Sequence, residues 1–512
     1  MRNESRGILR LNSNMSIFGI LFAIWVLIDG SYFPQWQSQP PALLTAITAG
    51  LVLMRPNSVK LLLLMLAASF WSFCWRSPFF VNNVFIGAFF EALILGSAIK
   101  YLIQHGHLPK SLKDLEAEVF PTIRVGVIAI FFFAVLHKTN KAFLDPEISC
   151  AGIHYRQLQY VMKFLPSPDA PGMGKAVVWL TWATEISIPI LLTLGWLKIP
   201  SRRVVTLGIL VALGFHFVMS FNGYQNFSAM ALAYYVPYLP HNFHRTLSAL
   251  IKKTSRTTYG KAFVIGMKIV GAMLLAFSLE LLAYAIFKNL FPLSKARGQT
   301  FARRQGWLLF NVGAPLVSIL FAYLSVKRYG RANILPGKWP PAWTYVLLAI
   351  VSFGSMCPYL GLKTENSFAM FSNLLTEGDA SHWNHVFLPR SMRIFHFQDH
   401  LVNVKKVVIQ DADANQEKET SDNAIGSNLP GLRNLRSFSD RRMVEFEFRR
   451  NVGIACRRYP EPISIDYEID GKDYHVDDAH KVPELANGNG YWLEKLMFFR
   501  PVPNSPYGVC LH

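Results

Sequence analysis

The sequence predicts an all-α polytopic membrane bundle of about eleven helices, followed by a small α+β C-terminal extramembrane domain. Its 512 residues are 52% hydrophobic and only 16% charged, whereas an ordinary soluble domain has about 25% charged residues. Charge is also divided unevenly, because 21 of the 32 acidic residues but only 18 of the 51 basic residues follow position 360. The first 360 residues therefore carry +22 and the remainder −3.

The excess of basic residues indicates a lipid bilayer as partner and does not indicate nucleic acid. A nucleic-acid-binding chain concentrates Lys and Arg on one face. Here they lie between long apolar segments, as topology signals do. Oligomeric state is not indicated by any pattern in the chain.

Apolar segments long enough for helices recur throughout the first 360 residues. A spanning helix needs about 20 mostly apolar residues, and its backbone must satisfy its own polar groups. The predicted segments are 15–33, 43–54, 58–75, 82–103, 121–137, 176–197, 204–221, 227–240, 262–288, 307–326 and 342–360.

The distribution of Lys and Arg between these segments predicts the orientation. A cytoplasmic N-terminus gives 21 basic residues on the inner side and 11 on the outer side, in agreement with the positive-inside rule. An odd number of helices then places the C-terminal domain on the outer side. The connection 288–306 carries five basic residues on that side and contradicts the pattern.

The predicted domains are 1–360, a helical transmembrane domain, and 361–512, the extramembrane domain. Residues 411–432 are rich in Asn, Ser, Gly and Glu and predict a flexible loop. Residues 440–450 predict a helix capped by Ser439 or Asp440. The alternating segment 463–469, followed by Asp470-Gly471, predicts a β-hairpin.

The five cysteines have no CxxC spacing, so the sequence predicts neither a zinc site nor a thioredoxin motif, and no metal. Two of them, Cys150 and Cys357, fall near the predicted outer face. A disulfide between these two is one pairing that the sequence leaves open.

Ionisable groups inside apolar spans cost about 2.5–3.5 kcal/mol and are functional candidates for that reason. The alternative for each is a structural hydrogen bond between helices. The candidates are Asp29, Glu91, His137, Lys138, Glu185, His216 and Glu280.

His137 and Lys138 end an apolar helix at the predicted outer boundary. Lys138 could extend its ammonium group to the lipid headgroups, as lysines at helix ends do. Inside the bundle, it could instead lose its proton and act as a general base, with His137 tuning or relaying the proton.

Several motifs occur in an order that resembles the horizontally transferred transmembrane (HTTM) domain family, which includes the vitamin K-dependent gamma-carboxylases. The similarity covers roughly residues 15–400. Its elements are Lys138 with Asn140, a long outer connection, Glu185-Ile-Ser-Ile-Pro189, Ser201-Arg202-Arg203, Phe215-His216-Phe217, Asn226-Phe227, Met370-Phe371-Ser372-Asn373-Leu374, Thr376-Glu377-Gly378 and Asn384-His385.

This resemblance implies a carboxylase- or oxygenase-like lyase with a reduced isoprenoid quinone, similar to vitamin K, as cofactor. It implies that Lys138 is the catalytic base, and it favours a role for His216, whose alternative is a core residue. His137, beside Lys138, and Glu185, which could serve the helix architecture or a proton path, complete the predicted catalytic residues. The predicted substrate-binding residues are Asn82, Asn83, Glu91 and Asn140.

The chain departs from the family where a Trp-Asn-Asn-His motif supplies a histidine to the quinone. Here Val81 and Val84 flank Asn82 and Asn83, and a valine side chain makes no hydrogen bond. The expectation is therefore related chemistry on a quinone or another lipid-soluble substrate near the outer leaflet, and not the carboxylation of protein glutamates. The competing hypothesis is a non-enzymatic transporter or a scaffold that presents the C-terminal domain.

Overall fold

The computed structural model of the protein describes most of the chain. The described residues are 11–32, 40–78, 82–199, 203–221, 224–254, 319–320, 323, 340–409, 418–419, 441–504 and 510. Glu280 and the predicted segments 262–288 and 307–326 fall outside them, apart from residues 319–320 and 323.

The first part of the described chain is helical. Its helices are α1 (Asn14–Tyr32), α2 (Pro40–Met54), α3 (Val59–Arg76), α4 (Asn82–His105), α5 (Leu112–Lys138), α6 (Lys141–Leu144), α7 (Cys150–Val161), α8 (Met173–Leu197), α9 (Arg203–Phe221), α10 (Gln225–Tyr235), α11 (Phe243–Thr254) and α12 (Ala342–Leu360).

Six of these helices, α3, α4, α5, α8, α9 and α12, are long and apolar enough to cross a membrane. They are typical of a multi-pass membrane protein. The predicted number of about eleven is not confirmed, because helices such as α2 and α10 are shorter than a span and two predicted segments lie outside the described residues. The orientation of the termini stays a prediction.

Helix α5 begins nine residues before the predicted start at Pro121. Ser111 and Asp114 cap its first turn reciprocally, since the Ser111 amide donates to the Asp114 carboxylate and the Asp114 amide donates to the Ser111 hydroxyl. This arrangement satisfies amides that an uncapped helix leaves without partners. The apolar pattern alone located only the part of α5 that is rich in hydrophobic residues.

The C-terminal part forms an antiparallel sheet with a helix packed against it. The strands are β1 (Leu401–Ile409), β2 (Lys418–Glu419), β3 (Arg441–Val444), β4 (Ile463–Ile469), β5 (Lys472–Val476) and β6 (Val502–Pro503), in the order β5-β4-β1-β3-β6, with β2 paired to β1. The helices are α13 (Glu445–Arg458), α14 (Pro483–Ala486) and α15 (Tyr491–Leu496). Side chains from β1, β4 and α13 share one core, including Val402, Ile465 and Val452.

The predicted hairpin is confirmed, with Asp470 and Gly471 both at positive φ between β4 and β5. The predicted helix 440–450 is wrong in its position, because residues 441–444 form strand β3 and the helix begins at Glu445. Pairing with β1 and β6 decides this segment. The predicted loop 411–432 lies outside the described residues except for β2.

The chain divides into two compact units. The first unit consists of residues 1–76, 83–132 and 183–350, and the second unit of residues 77–82, 133–182 and 351–512. The second unit therefore contains the predicted C-terminal domain together with chain from the ends of α5 and α12 and the beginning of α8.

Candidate functional site

The end of α5 lies in the second unit and carries the predicted base. His137 is 0% exposed and Lys138 is 5% exposed, so protein atoms cover both side chains. A lysine that extends to the headgroups keeps its ammonium group accessible. The low exposure of Lys138 therefore favours a lysine that is enclosed by protein over one that extends its ammonium group to the headgroups.

Hydrogen bonds fix the protonation pattern of His137. Its Nε2 lies 2.8 Å from the Ser367 carbonyl oxygen, which only accepts, so Nε2 carries the proton and donates. Its Nδ1 lies 2.9 Å from the Tyr359 hydroxyl, which then donates to it. Because both ring nitrogens of the neutral imidazole have partners, His137 anchors the helix end to residues 359–367.

The Asn140 side chain holds the chain just after α5. Its Oδ1 accepts from the Phe143 amide at 2.8 Å and caps the short helix α6. Its Nδ2 donates to the carbonyl oxygens of His137, at 2.7 Å, and Ser372, at 2.5 Å. All of these contacts are with the backbone, so the structure gives Asn140 a positioning role.

Residues 366–373 have an unusual backbone. Four non-glycine residues in this short segment adopt positive φ, namely Asn366 at 56°, Phe368 at 62°, Phe371 at 51° and Asn373 at 52°. Positive φ costs an L-residue about 1–2 kcal/mol, and such strain persists where surrounding contacts impose it. The segment overlaps the Met370-to-Leu374 motif. Its carbonyl oxygens at Ser367 and Ser372 accept hydrogen bonds from His137, at the end of α5, and from Asn140, just after it.

His154 is a residue of this region that the sequence did not indicate. Its ring packs edge-on against Phe371, with centroids 4.6 Å apart. Burial lowers the pKa of His154 to about 4, and a hydrogen bond with Gln157 opposes this in part. His154 therefore presents a neutral imidazole within electrostatic range of Lys138.

A buried ion pair lies in the same unit. Arg500 donates two hydrogen bonds to Glu377, from Nε to Oε1 at 2.8 Å and from Nη2 to Oε2 at 3.1 Å. Glu377 is 0% exposed. Burial alone raises the pKa of this carboxyl, but the adjacent guanidinium holds it below the ordinary value.

A second carboxyl, Glu365, lies in range of this pair. Burial raises its pKa, and Arg500 lowers it in part. The Asn82 side chain lies close enough to Glu365 to lower this pKa in part. This contact connects one predicted substrate-binding residue to the segment that follows α12.

A disulfide between Cys150 and Cys510 joins the first residue of α7 to the C-terminal segment. Cys510 and Phe371 pack against a cluster that contains Phe143, Cys150 and Val178. The pairing of Cys150 with Cys357 that the sequence left open does not occur, because Cys357 is a buried free thiol. Position 510 is 360 residues away from Cys150 in sequence, so spacing could not have indicated it.

Other predicted catalytic residues, Glu185 and His216, lie in the first unit. His216 is buried among aromatic rings, and its Nε2 lies 2.9 Å from the Tyr235 hydroxyl. Glu185 is 5% exposed and lies within electrostatic range of Tyr235. The first unit thus brings Glu185 and His216 to the same tyrosine.

The substrate-binding candidates Asn83 and Glu91 also belong to the first unit. Glu91 Oε1 accepts from the Ser69 hydroxyl at 2.5 Å. Glu91 Oε2 and Asn83 Nδ2 are buried and have no hydrogen-bond partner among the described residues. Gly87 lies between them on the same face of α4, and the Trp25 ring packs directly onto it.

The eight predicted site residues are therefore divided equally. Asn82, His137, Lys138 and Asn140 belong to the second unit, and Asn83, Glu91, Glu185 and His216 belong to the first. Sequence reasoning assigned no role to Tyr359, His154 or Arg500. Within the described residues, no group of three or more His, Cys, Asp or Glu side chains could hold a metal ion.

The residues present fit a quinone only in part. The Asn83 amide, which has no hydrogen-bond partner among the described residues, could donate a hydrogen bond to a quinone oxygen. The next residue, Val84, is buried and apolar and offers no hydrogen bond. Comparison of the chain with protein-family models, with curated proteins and with solved structures finds no match.

Proposed function

We propose that this chain is an integral membrane enzyme in which Lys138 is the general base for a lipid-soluble substrate. The observation that carries the proposal is the 5% exposure of a lysine at the end of an apolar helix. An amine that is covered by protein and held in position can accept a proton from a substrate bound beside it.

The surroundings of Lys138 support a positioned base. His137, the preceding residue, is held by Tyr359 and Ser367, and Asn140 is held by Ser372. A strained segment supplies two of these three contacts. Strained backbone collects at sites where side-chain geometry matters.

The substrate class follows from the location of this base at the end of an apolar helix, where a lipid can arrive from the bilayer. A reduced isoprenoid quinone is the cofactor that the resemblance to the HTTM family implies. When bound, it would supply a weakly acidic hydroxyl whose proton Lys138 Nζ can accept. We do not extend the proposal to the carboxylation of protein glutamates, because Val84 cannot provide the family's histidine contact.

The test compares wild type with Lys138→Ala and Lys141→Ala, all reconstituted in lipid. Lys141 is exposed and three residues away, so it is a matched control for loss of a lysine. Oxygen uptake with phylloquinol is the activity, and mass spectrometry identifies co-purifying lipids.

We expect Lys138→Ala to lose activity by about 10²–10⁴-fold, the usual contribution of a general base, and Lys141→Ala to retain it. We expect isoprenoid quinone in the wild-type extract. Wild-type extracts that contain only bulk phospholipid, together with no phylloquinol-dependent uptake, would overturn the quinone assignment. Equal activity of Lys138→Ala and wild type would overturn the role of Lys138.

A further inference from the structure

Three stretches of the second unit expose apolar side chains to an unusual degree. Phe387 is 76% exposed, Ile394 68% and Trp492 74%. Most soluble surfaces expose such residues singly. Here each has apolar neighbours in its own stretch, and the three stretches together are Val386 with Phe387, Ile394 with Phe395, and Tyr491, Trp492, Leu493 and Leu496 on α15.

Backbone hydrogen bonds join the Ile394 stretch to the last residue of α12. The amides of Ile394 and Phe395 both donate to the Leu360 carbonyl oxygen, at 3.1 Å and 2.9 Å. Gly361 follows at φ +81°, and a side chain there would collide with the Phe395 carbonyl. The end of a candidate membrane span is therefore fixed directly beside Ile394 and Phe395.

The other two stretches are also hydrogen-bonded to residues at the ends of helices. The Val386 amide donates to the carbonyl oxygen of Thr139, the first residue after α5, at 3.2 Å. On α15, the Lys495 ammonium donates to the Ser77 carbonyl at 2.7 Å and the Ser77 hydroxyl donates back to the Lys495 carbonyl at 2.8 Å. Ser77 is the first residue after α3.

Ends of spanning helices lie where the hydrocarbon of a bilayer meets the headgroups. Tyr and Trp are enriched at this level because their rings are amphipathic, and amphipathic segments can lie in the interface with their apolar side immersed. Three separate contacts place the exposed apolar stretches beside helix ends, so a single physical cause, contact with lipid, accounts for all three.

We propose that Val386–Phe387, Ile394–Phe395 and the apolar side chains of α15 form a lipid-contacting belt on the second unit. The belt inserts into the headgroup–acyl boundary of the leaflet at the ends of α3, α5 and α12. The C-terminal domain is then itself in contact with the bilayer, and is not a domain carried free in solution by a tether. This inference is independent of any role of Lys138 in catalysis.

The chain offers a matched exposed aromatic residue for control. Tyr474 on β5 is 44% exposed and stacks on Tyr467 of the neighbouring strand β4. Neither tyrosine has a hydrogen bond to a helix end among the described contacts. The proposal therefore requires Tyr474 to remain in water while Trp492 does not.

The test uses the full chain in phospholipid nanodiscs. Spin labels are placed through Phe387→Cys, Ile394→Cys, Trp492→Cys and Tyr474→Cys in a background in which the free cysteines Cys74, Cys357 and Cys456 are replaced by alanine. Collision with oxygen, which concentrates in lipid, is compared with collision with a water-soluble nickel chelate. Hydroxyl-radical footprinting of the unsubstituted chain is the second measurement, because it does not depend on any variant folding.

We expect the labels at 387, 394 and 492 to collide several-fold more with oxygen than with nickel, and the label at 474 to show the reverse. We expect Trp492 to resist oxidation while Tyr474 is oxidised. Nickel accessibility at all four positions, with oxidation of Trp492, would overturn the belt. Protection from both reagents, with dipolar broadening between labels, would assign this surface to a second copy of the chain and would also overturn the proposal.

Discussion

Glu377 in the second unit and Glu91 in the first unit are both buried carboxyls, but their surroundings differ. Glu377 in the second unit is paired through two hydrogen bonds with Arg500 and accepts a third, at 2.9 Å, from the Thr376 amide. Glu91 in the first unit accepts one hydrogen bond from Ser69, and its second oxygen has no partner among the described residues. A fully paired buried charge contributes to stability only as long as both partners remain. A partly satisfied acidic side chain inside an apolar helix is costly, and such residues are retained where they have a function.

The largest effect expected from this comparison is on Glu377. Glu377→Gln removes the carboxylate that is hydrogen-bonded to the buried Arg500 guanidinium, and we expect the free energy of unfolding to fall by about 3–5 kcal/mol. Glu91→Gln keeps an oxygen for Ser69, and we expect a loss of less than about 1 kcal/mol. Chemical denaturation in detergent measures both.

The exposed pair between Lys405 and Glu468, 3.2 Å apart, provides the control for loss of an acidic residue. Glu468→Gln is expected to change stability by at most about 1 kcal/mol. Equal losses for Glu377→Gln and Glu91→Gln would remove the distinction between these two carboxyls.

A second prediction concerns packing beside Glu91. Gly87→Ala adds a methyl group that overlaps the Trp25 ring, and we expect destabilisation by about 1–3 kcal/mol because the ring must move. Gly50→Ala in α2 meets nothing within 4 Å. It should be neutral or stabilising by up to about 1 kcal/mol, because alanine favours a helix. Thermal unfolding of the two variants that shows no difference would contradict the close contact.

In the strained segment of the second unit, we expect a glycine variant to be more stable than an alanine variant, which is the reverse of the usual order. Both Phe371→Ala and Phe371→Gly remove the ring that contacts His154, but only alanine keeps the penalty for positive φ. We expect the glycine variant to be more stable than the alanine variant by about 1–2 kcal/mol. If the alanine variant is the more stable in equilibrium unfolding, position 371 does not have the described backbone conformation.

The smallest expected effect is a pH dependence at His480. Burial alone lowers its pKa, but Asp478 and the carbonyl oxygens of Tyr459 and Cys456 raise it above the ordinary value. A raised folded-state pKa gives stabilisation that is present below the unfolded pKa of about 6.5 and is lost as pH rises through the folded pKa. We expect His480→Gln to flatten the stability profile above pH 6.5 by less than about 1 kcal/mol. An unchanged slope would show that these contacts do not favour the imidazolium.

Lys138 and His137 could be identified from the sequence because an apolar segment that ends in two ionisable residues is a local pattern. The sequence could not assign the contacts of His137, since Tyr359 and Ser367 follow more than 220 residues later. The Asp470-Gly471 turn was predictable because Asp and Gly adopt positive φ more readily than other residues do. The positive φ values at Phe368 and Phe371 were not, because phenylalanine has no local preference for that conformation and contacts from distant segments impose it.

Composition and periodicity by themselves determined that the chain has long apolar helices and that a less apolar, mixed α/β region follows position 360, because burial in lipid and strand alternation both leave local patterns. Only the tertiary structure decided that residues 133–182 share a compact unit with residues 351–512, that Cys150 pairs with Cys510, and that β3 replaces the predicted start of a helix. Each of these depends on a partner distant in sequence. The free energy of such a contact depends on both segments, so the local sequence of either one cannot predict it.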